Sequence, residues 1–383
     1  MSTNGATERP ILILSASAGA GHMMAARAIE QALRAAAPGV SIEVLDVLSA
    51  ASGAFRRMYA GGYLSLVRRA PVLMGVLYER MDQPVPNIAD RARLLIQNAH
   101  APRIARCIRA HRPRAIVNTH FLSAEIVSQM RRSGALNCPQ ATVTTDFETH
   151  RLWVQEPTER YFAASEQGRV LLRRWGVDDL RIRVTGIPVM DAFRPTANQS
   201  AVRTELGLDP ARPVVLLLCG GFGVGPVALA FQEILALLDT QLVAVCGRNE
   251  ALRERLALMS KGAESRCKVV GFTNEMHRYM QAADVAVTKP GGLTSSEALA
   301  CGLPMVVVNP IPGQESRNSD FLLESGAAIK ANDACLVGPR IRSLLSSPTR
   351  LAAMRDAALR EARPDAARQI AEAVGEMCGA SAV

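Results

Sequence analysis

Aromatic residues are scarce in this chain: tryptophan, tyrosine and phenylalanine together supply 4% of its 383 residues, and alanine is plentiful. The core is therefore expected to be aliphatic. The eight cysteines, at 107, 138, 219, 246, 267, 301, 335 and 378, form no C-x-x-C pair. Several end apolar runs, so free thiols packed in a reduced interior are expected rather than a metal site or a disulfide framework. The first ten residues, MSTNGATERP, lack a basic stretch followed by an apolar one, so no secretory signal and a cytoplasmic setting are expected. One uncharged run, 213–231, approaches the length of a membrane span, but Gly220, Gly221, Gly223, Gly225 and Pro226 interrupt it. A buried strand, a glycine loop and a helix start account for it better. G-x-G-x-x-G, a P-loop and a D-x-D metal motif are all missing, which excludes the usual dinucleotide and P-loop nucleotide fingerprints.

Lysine is rare as well, four against forty arginines, and the formal charge of +9 is unevenly spread. Residues 51–114 contain twelve arginines, among them Arg56, Arg57, Arg68 and Arg69, against Glu79, Asp82 and Asp90. That segment carries the whole excess and suits an anionic partner, a membrane face or a nucleic acid. Within it, Phe55–Tyr59, Tyr63–Arg69 and Val72–Tyr78 alternate arginines with apolar and aromatic clusters, while Gly61, Gly62 and Pro71 rule out one long helix. Short amphipathic pieces lying in a lipid interface fit this pattern. A solvated basic hairpin packing its leucines inward is the alternative.

At this length two domains are expected. Strand-like runs at Ile11–Ser15, Ser41–Leu45, Ala115–Asn118 and Ala141–Thr145 alternate with helical periodicity such as His22–Ala37. The alternation pauses near residue 195. It resumes at Val214–Cys219, Gln241–Cys246, Lys268–Val270, Val285–Thr288 and Met305–Val308, and an amphipathic helix over Asp365–Cys378 ends it. This is the pattern of an α/β protein with two Rossmann-like domains, whose strand-end loops would face a shared cleft.

Five loops carry candidate chemistry. Ser15–His22 runs small residues into a helix start, where backbone N–H groups and positive potential favour anions and disfavour a protonated His22. A neutral imidazole there can take a proton from an alcohol; a capping or packed histidine is the alternative. Leu217–Pro226 repeats the strand–glycine–helix design, suited to a diphosphate or a sugar, or simply to a tight turn. Val287-Thr-Lys-Pro-Gly-Gly-Leu-Thr-Ser-Ser-Glu297 is the most informative. Its amides and hydroxyls suit a pyrophosphate, and Glu297 can accept hydrogen bonds from ribose hydroxyls. Thr294 and Glu297 also have capping-box spacing, which leaves the double glycine unexplained. Asn309–Asn318 places Gln314, Glu315 and Asn318 where hexose hydroxyls could be read. Finally Thr144–Trp153 groups Asp146, His150 and Trp153 beyond a strand, as an acceptor site or as support for a base.

Taken together, the Gly21-His22 loop, VTTDFETHRLW (143–153), VTGIPV (184–189), LLCGGFGVGP (217–226), CGRN (246–249), VVGFTNEM (269–276), TKPGGLTSSEALACGLP (288–304) and IPGQESRN (311–318) resemble the monogalactosyldiacylglycerol synthase and processive diacylglycerol glycosyltransferase family, glycosyltransferase family 28. The resemblance to the lipid-linked peptidoglycan N-acetylglucosaminyltransferase is more distant. It implies a GT-B fold, with residues 1–195 as the acceptor and membrane-associating domain and 196–363 as the UDP-sugar domain. Residues 364–383 would form a helix returning to the first domain. It further implies an inverting hexosyl transfer from a UDP-sugar to a diacylglycerol-type lipid, on the inner face of the cell membrane, with no metal or other cofactor and no nucleic acid. His22 becomes the base, with Asp146 nearby, and Gly21, His150 and Trp153 fall on the acceptor side. Gly271 and Phe272 would lie by the uracil, Glu297 on the ribose, Gly291, Gly292 and Thr294 by the phosphates, and Gln314 and Glu315 on the sugar. Gly220, Gly221, Phe222, Arg248, Met276, Ser295 and Asn318 complete the donor set. A UDP-sugar 2-epimerase and an inactive UDP-sugar-binding regulator are the competing readings.

Overall fold

The computed structural model describes residues 9–17, 19–53, 56–57, 70–83, 102–220 and 226–379. Gly221, Phe222, Arg68 and Arg69 lie outside them, as do all the aromatic and apolar residues of 54–69. The chain divides into two compact units. Unit 1 comprises residues 1–191, 312–314 and 364–383; unit 2 comprises 192–311 and 315–363.

In unit 1 six strands pair in parallel: β1 (Ile11–Ser15), β2 (Ile42–Asp46), β3 (Ala115–Asn118), β4 (Gln140–Val143), β5 (Arg160–Ala163) and β6 (Ile182–Val184), in the order β2-β1-β3-β4-β5-β6. In unit 2, β7 (Val214–Leu218), β8 (Gln241–Val245), β9 (Cys267–Val270), β10 (Val285–Thr288), β11 (Met305–Val308) and β12 (Ala328–Ala331) pair in parallel as β12-β11-β10-β7-β8-β9. The helices that bear on the site are α1 (Ala20–Ala36), α2 (Pro71–Met81), α3 (Phe121–Arg132), α4 (Val227–Leu235), α5 (Met276–Ala282), α6 (Gly292–Ala300), α7 (Gln314–Glu324) and α8 (Ala366–Met377).

The strands read as continuous apolar runs because both faces of each sheet are covered. In β1 successive side chains go to opposite layers. Ile11 and Ile13 join Ile29 and Leu33 of α1, while Leu12 and Leu14 join Ile104, Ile108 and Leu122. α8 supplies Ile370, Ala371, Ala373 and Val374 to the first of these layers, so the C-terminal helix is part of the unit 1 core, against α1. In unit 2, α4 contributes Phe231 and Ile234 to a cluster with Val215, Leu217, Val285 and Val306. All eight cysteines are free; Cys138, Cys219, Cys246 and Cys267 are buried.

Burial of Ile370 is complete. Ile370→Ala is expected to lower stability by about 2–5 kcal/mol through lost contacts and a residual cavity. It should appear as a fall in the melting temperature of the unit 1 transition; an unchanged melting curve would remove α8 from the core.

Candidate active site

In an open parallel sheet, ligands bind beyond the carboxyl ends of the strands where the strand order reverses. Unit 1 reverses at β1/β3 and unit 2 at β10/β7.

At the first reversal β1 leads into the loop before α1, whose N-cap, Gly19, offers no side-chain cap. Gly21 and His22 sit in the first turn. His22 Nδ1 lies 3.1 Å from the Thr119 carbonyl and 2.9 Å from Thr145 Oγ1. A carbonyl oxygen only accepts, so Nδ1 bears the hydrogen and Nε2 keeps its lone pair. Burial, opposed by that backbone hydrogen bond, pulls the imidazole pKa down to about 4, so the ring is neutral at physiological pH. Thr119 is held in turn by Leu14, whose carbonyl accepts its N–H at 2.9 Å, and its hydroxyl donates to the His22 carbonyl at 3.1 Å.

Sequence reasoning passed over His120. It stands just beyond β3, its Nδ1 accepts the Leu122 N–H at 3.1 Å, and its ring meets His22 edge-on at 4.6 Å between centroids. Burial first, and His22 second, hold its pKa well below the usual value. Trp153, 2% exposed, completes an aromatic cluster, 6.3 Å from His22 and 6.1 Å from Phe121. Thr119 and His120 directly follow the apolar run of β3, and that position was the available signal.

Asp146 is buried, and its Oδ1 accepts a hydrogen bond from Gln314 Nε2 at 2.5 Å. Gln314 thus spends an amide hydrogen on the unit 1 carboxylate. His150 is a tether. Its Nδ1 accepts the Leu152 N–H at 3.1 Å and its Nε2 donates to the Tyr78 carbonyl at 2.9 Å. With both ring nitrogens engaged, His150 fastens α2 to the loop after β4 and leaves neither nitrogen to meet an acceptor. Tyr78 stacks on His150 at 4.3 Å and lies under Gly313, where a Cβ would come within 2.8 Å of its ring.

At the second reversal β7 is followed by Cys219 and Gly220, the latter with a φ of +68° that suits glycine. β10 ends in Lys289-Pro290-Gly291 and then α6. Gly291 is the N-cap and supplies no side-chain hydrogen bond. The capping box between Thr294 and Glu297 does not form. The N–H groups of Gly292, Leu293 and Thr294 find no acceptor among the described residues. Glu297 is 7% exposed, and no described side chain or backbone group hydrogen-bonds its carboxyl. Burial alone pushes its pKa up to about 8. Ser295 Oγ, in the first turn of α6, is fully buried with no partner among the described residues. Lys289, half-buried, was read only as the end of a strand.

Farther along the same sheet edge, Phe272 is 60% exposed and the Arg248 guanidinium lies over its ring at 5.1 Å. Gly271 adjoins the stem of Arg253, whose Cδ would sit 3.3 Å from an added Cβ, and Met276 opens α5. Glu315 accepts the Ile311 N–H at 2.7 Å, closing its own loop, and Asn318 is fully buried in α7. Among the described residues no group of three or more His, Cys, Asp or Glu could hold a metal ion.

The burial of Glu297 has a measurable consequence. Its folded pKa lies above the unfolded value of 4.5, so the folded state holds the proton more tightly, and stability falls as pH rises from about 4.5 to 8. Glu297→Gln removes this slope. The ligand-free variant should match wild type near pH 4.5 and exceed it by a few kcal/mol, to order of magnitude, at pH 8. Denaturation across that range checks this; a difference independent of pH would mean that the carboxyl is not desolvated.

Two family models match the chain, one in each unit. Residues 22–189 match "Monogalactosyldiacylglycerol (MGDG) synthase" and residues 223–361 match "Glycosyl transferases group 1". The chain is 28% identical over 371 residues to a processive diacylglycerol beta-glucosyltransferase of Bacillus cereus (strain B4264), covering 95% of this chain and 92% of the relative. A protein of the same description from Bacillus thuringiensis (strain Al Hakam) is 28% identical over 369 residues, covering 96% and 93%. Among solved structures, Acinetobacter baumannii MurG superposes with a TM-score of 0.58 at 14% identity, covering 96% of this chain and 99% of that one. S. aureus MnaA, in a structure with UDP, superposes with a TM-score of 0.65 at 13% identity, covering 97% and 98%. Both structural likenesses speak for the fold. With the two parallel six-stranded sheets, these matches show that the chain is a glycosyltransferase of the GT-B fold, similar over most of its length to the processive diacylglycerol glycosyltransferases.

Proposed function

We propose that the protein transfers a hexose from a UDP-sugar to the hydroxyl of a diacylglycerol-type lipid, with inversion at the anomeric carbon, at an anionic membrane surface. The observation that carries the reading is His22, a neutral imidazole whose tautomer is set by the Thr119 carbonyl and whose Nε2 lone pair is left for a proton. The acceptor oxygen attacks C1 of the sugar from the face opposite UDP and forms the new C–O bond. The hydroxyl proton passes to Nε2, and the electron pair of the breaking C1–O bond goes to the β-phosphate of UDP. Positioning and electrostatics supply most of the acceleration. The unit 2 loops suit the donor: free amides at α6 for phosphate, Glu297 for the ribose, and exposed Phe272 for a base to lie on. The reading includes no resident metal, so chelation with EDTA should leave turnover intact.

Incubation with membrane lipids and radiolabelled UDP-sugars, followed by separation of lipid products, tests the reading. A labelled glycolipid is expected; a UDP-sugar epimer formed without lipid would replace this reading with the epimerase one. His22→Ala should lower kcat by about 10²–10⁴ and leave UDP affinity nearly unchanged. Because burial keeps His22 unprotonated, kcat/KM should stay level down through pH 6 and fall as pH approaches 4. An inflection near pH 6.5, or turnover of the variant within a few-fold of wild type, would assign the base to another group.

The membrane part of the proposal rests on α2 and the basic segment before it. Val72, Leu73 and Val76 are 75%, 50% and 42% exposed, while Tyr78 on the same helix is buried. Arg56, Arg57 and Arg80 are exposed. No helix among the described residues is long and apolar enough to cross a membrane. An apolar ridge flanked by arginines suits the boundary between lipid headgroups and acyl chains. Each basic residue near an anionic surface contributes about 1 kcal/mol. Replacing Arg56, Arg57, Arg68 and Arg69 with Gln should therefore release the protein from anionic vesicles, as should Leu73→Glu with Val76→Glu. Flotation across a salt series decides it: binding indifferent to salt and to both sets of changes would exclude this contact.

A further inference from the structure

The amino ends of β1, β3 and β4 form the edge of the unit 1 sheet opposite His22, and a cavity of about 490 Å³ opens there. Cavities of this size hold small organic ligands. Its floor is apolar. Pro113 is buried, Cys138 belongs to the layer of Leu12 and Leu14, and Leu136 packs against that layer. Its rim carries three exposed arginines: Arg9 before β1, Arg109 in the helix that ends at residue 110, and Arg112 just after it. Arg9 is fixed in place. Its Nε donates to the Arg112 carbonyl at 3.2 Å and its Nη2 to the Pro113 carbonyl at 2.8 Å, while Nη1 has no partner among the described residues. The guanidiniums of Arg109 and Arg112 make no hydrogen bond or ion pair among those residues either. Arg112 is also held at φ +47°, a left-handed turn that glycine makes without strain. The backbone at 112 thus favours glycine, and the arginine that stands there binds nothing within the chain. No acidic residue is among the described residues that line the cavity. Glu159, whose charge acts on Cys138, is taken by Arg131 through bonds of 2.7 and 2.5 Å. Three guanidiniums around one concavity repel one another, and an anion between them removes that cost.

We propose that this cavity is a second ligand site, on the edge away from His22, and that it takes a phosphate monoester. Arg9, Arg109 and Arg112 hold the phosphate oxygens, and the floor of Pro113, Leu136 and Cys138 takes the organic part of the molecule. Guanidinium forks match phosphate oxygens with paired, parallel N–H bonds, which a single ammonium cannot do. A dianion suits three cations better than a carboxylate does, and the apolar floor favours an ester over the bare ion. The strained backbone at 112 is then the cost of placing its side chain at the rim. A soluble metabolite and a lipid headgroup can both present this group.

The experiment is titration calorimetry of glycerol 1-phosphate, with glycerol as the neutral control and saturating UDP present to occupy the proposed donor site. Wild type should bind one equivalent of glycerol 1-phosphate and no glycerol. Arg109→Gln with Arg112→Gly should weaken that binding about ten-fold or more and leave UDP affinity unchanged. The same variant should melt at or above the wild-type temperature, because glycine suits φ +47°. The source of the phosphate is separated by flotation of Leu73→Glu with Val76→Glu protein on phosphatidylcholine vesicles with and without phosphatidate. Phosphatidate-dependent flotation that disappears with the two arginine changes would assign a lipid headgroup. Saturation by glycerol 1-phosphate without such flotation would assign a soluble monoester. Wild-type protein that saturates with neither, or an arginine variant that binds as wild type does, would overturn the site.

Discussion

Parallel pairing carries the carboxyl ends of all six strands of a sheet to one edge, and where the strand order reverses the neighbouring loops diverge and open a crevice. In unit 1 the reversal falls between β1 and β3, whose register sets Leu14 against Asn118. That register lets Thr119 bind Leu14 with its N–H and His22 with its carbonyl. In unit 2 the reversal pairs Val287 with Leu217, which brings Gly220 and Lys289 to adjoining strand ends. A slip of one residue in either pair would send the whole strand's side chains to the wrong face and dismantle the loops with it.

Desolvation works on both units, in opposite directions on the titration scale and with the same result. It lowers the basic group, His22, and raises the acidic one, Glu297, so that each is uncharged near neutral pH. A neutral imidazole is ready to receive a proton. A protonated carboxyl can both donate and accept toward a pair of hydroxyls, and it adds no negative charge to a turn that suits phosphate. The burial that makes these groups useful is provided by the sheets and helices described above, and no neighbouring charge is needed to tune either of them.

Much of this was legible in the sequence. The strands that carry the site are buried on both faces, and they stand out as runs such as Ile-Leu-Ile-Leu and Val-Val-Leu-Leu-Leu. β5, β6 and β12 were not read. β6 and β12 lie at sheet edges and are only three and four residues long with a charge inside, and β5 begins with an exposed arginine, so none shows a long apolar run. The glycine loops, His22 and Glu297 were legible because unusual composition sits at a strand end. The Gln314–Asp146 hydrogen bond was not, since it joins residues 168 apart in sequence. Nor was the tethering role of His150, which depends on where Tyr78 comes to lie. His120 and Lys289 show a further limit: one polar residue after a strand has no spacing to distinguish it, and only burial and neighbours give it meaning.

The unpartnered burial of Glu297 also bears on how such a chain drifts or is engineered. Proteins under selection for robustness alone accumulate substitutions that relieve buried, unsatisfied groups, because most such changes are easy gains. On the proposed donor reading, the same pressure would discard the carboxyl assigned to the ribose. A thermostabilised library of this protein, sorted without an activity screen, would become enriched at this position in well-folded molecules that have lost the buried carboxyl.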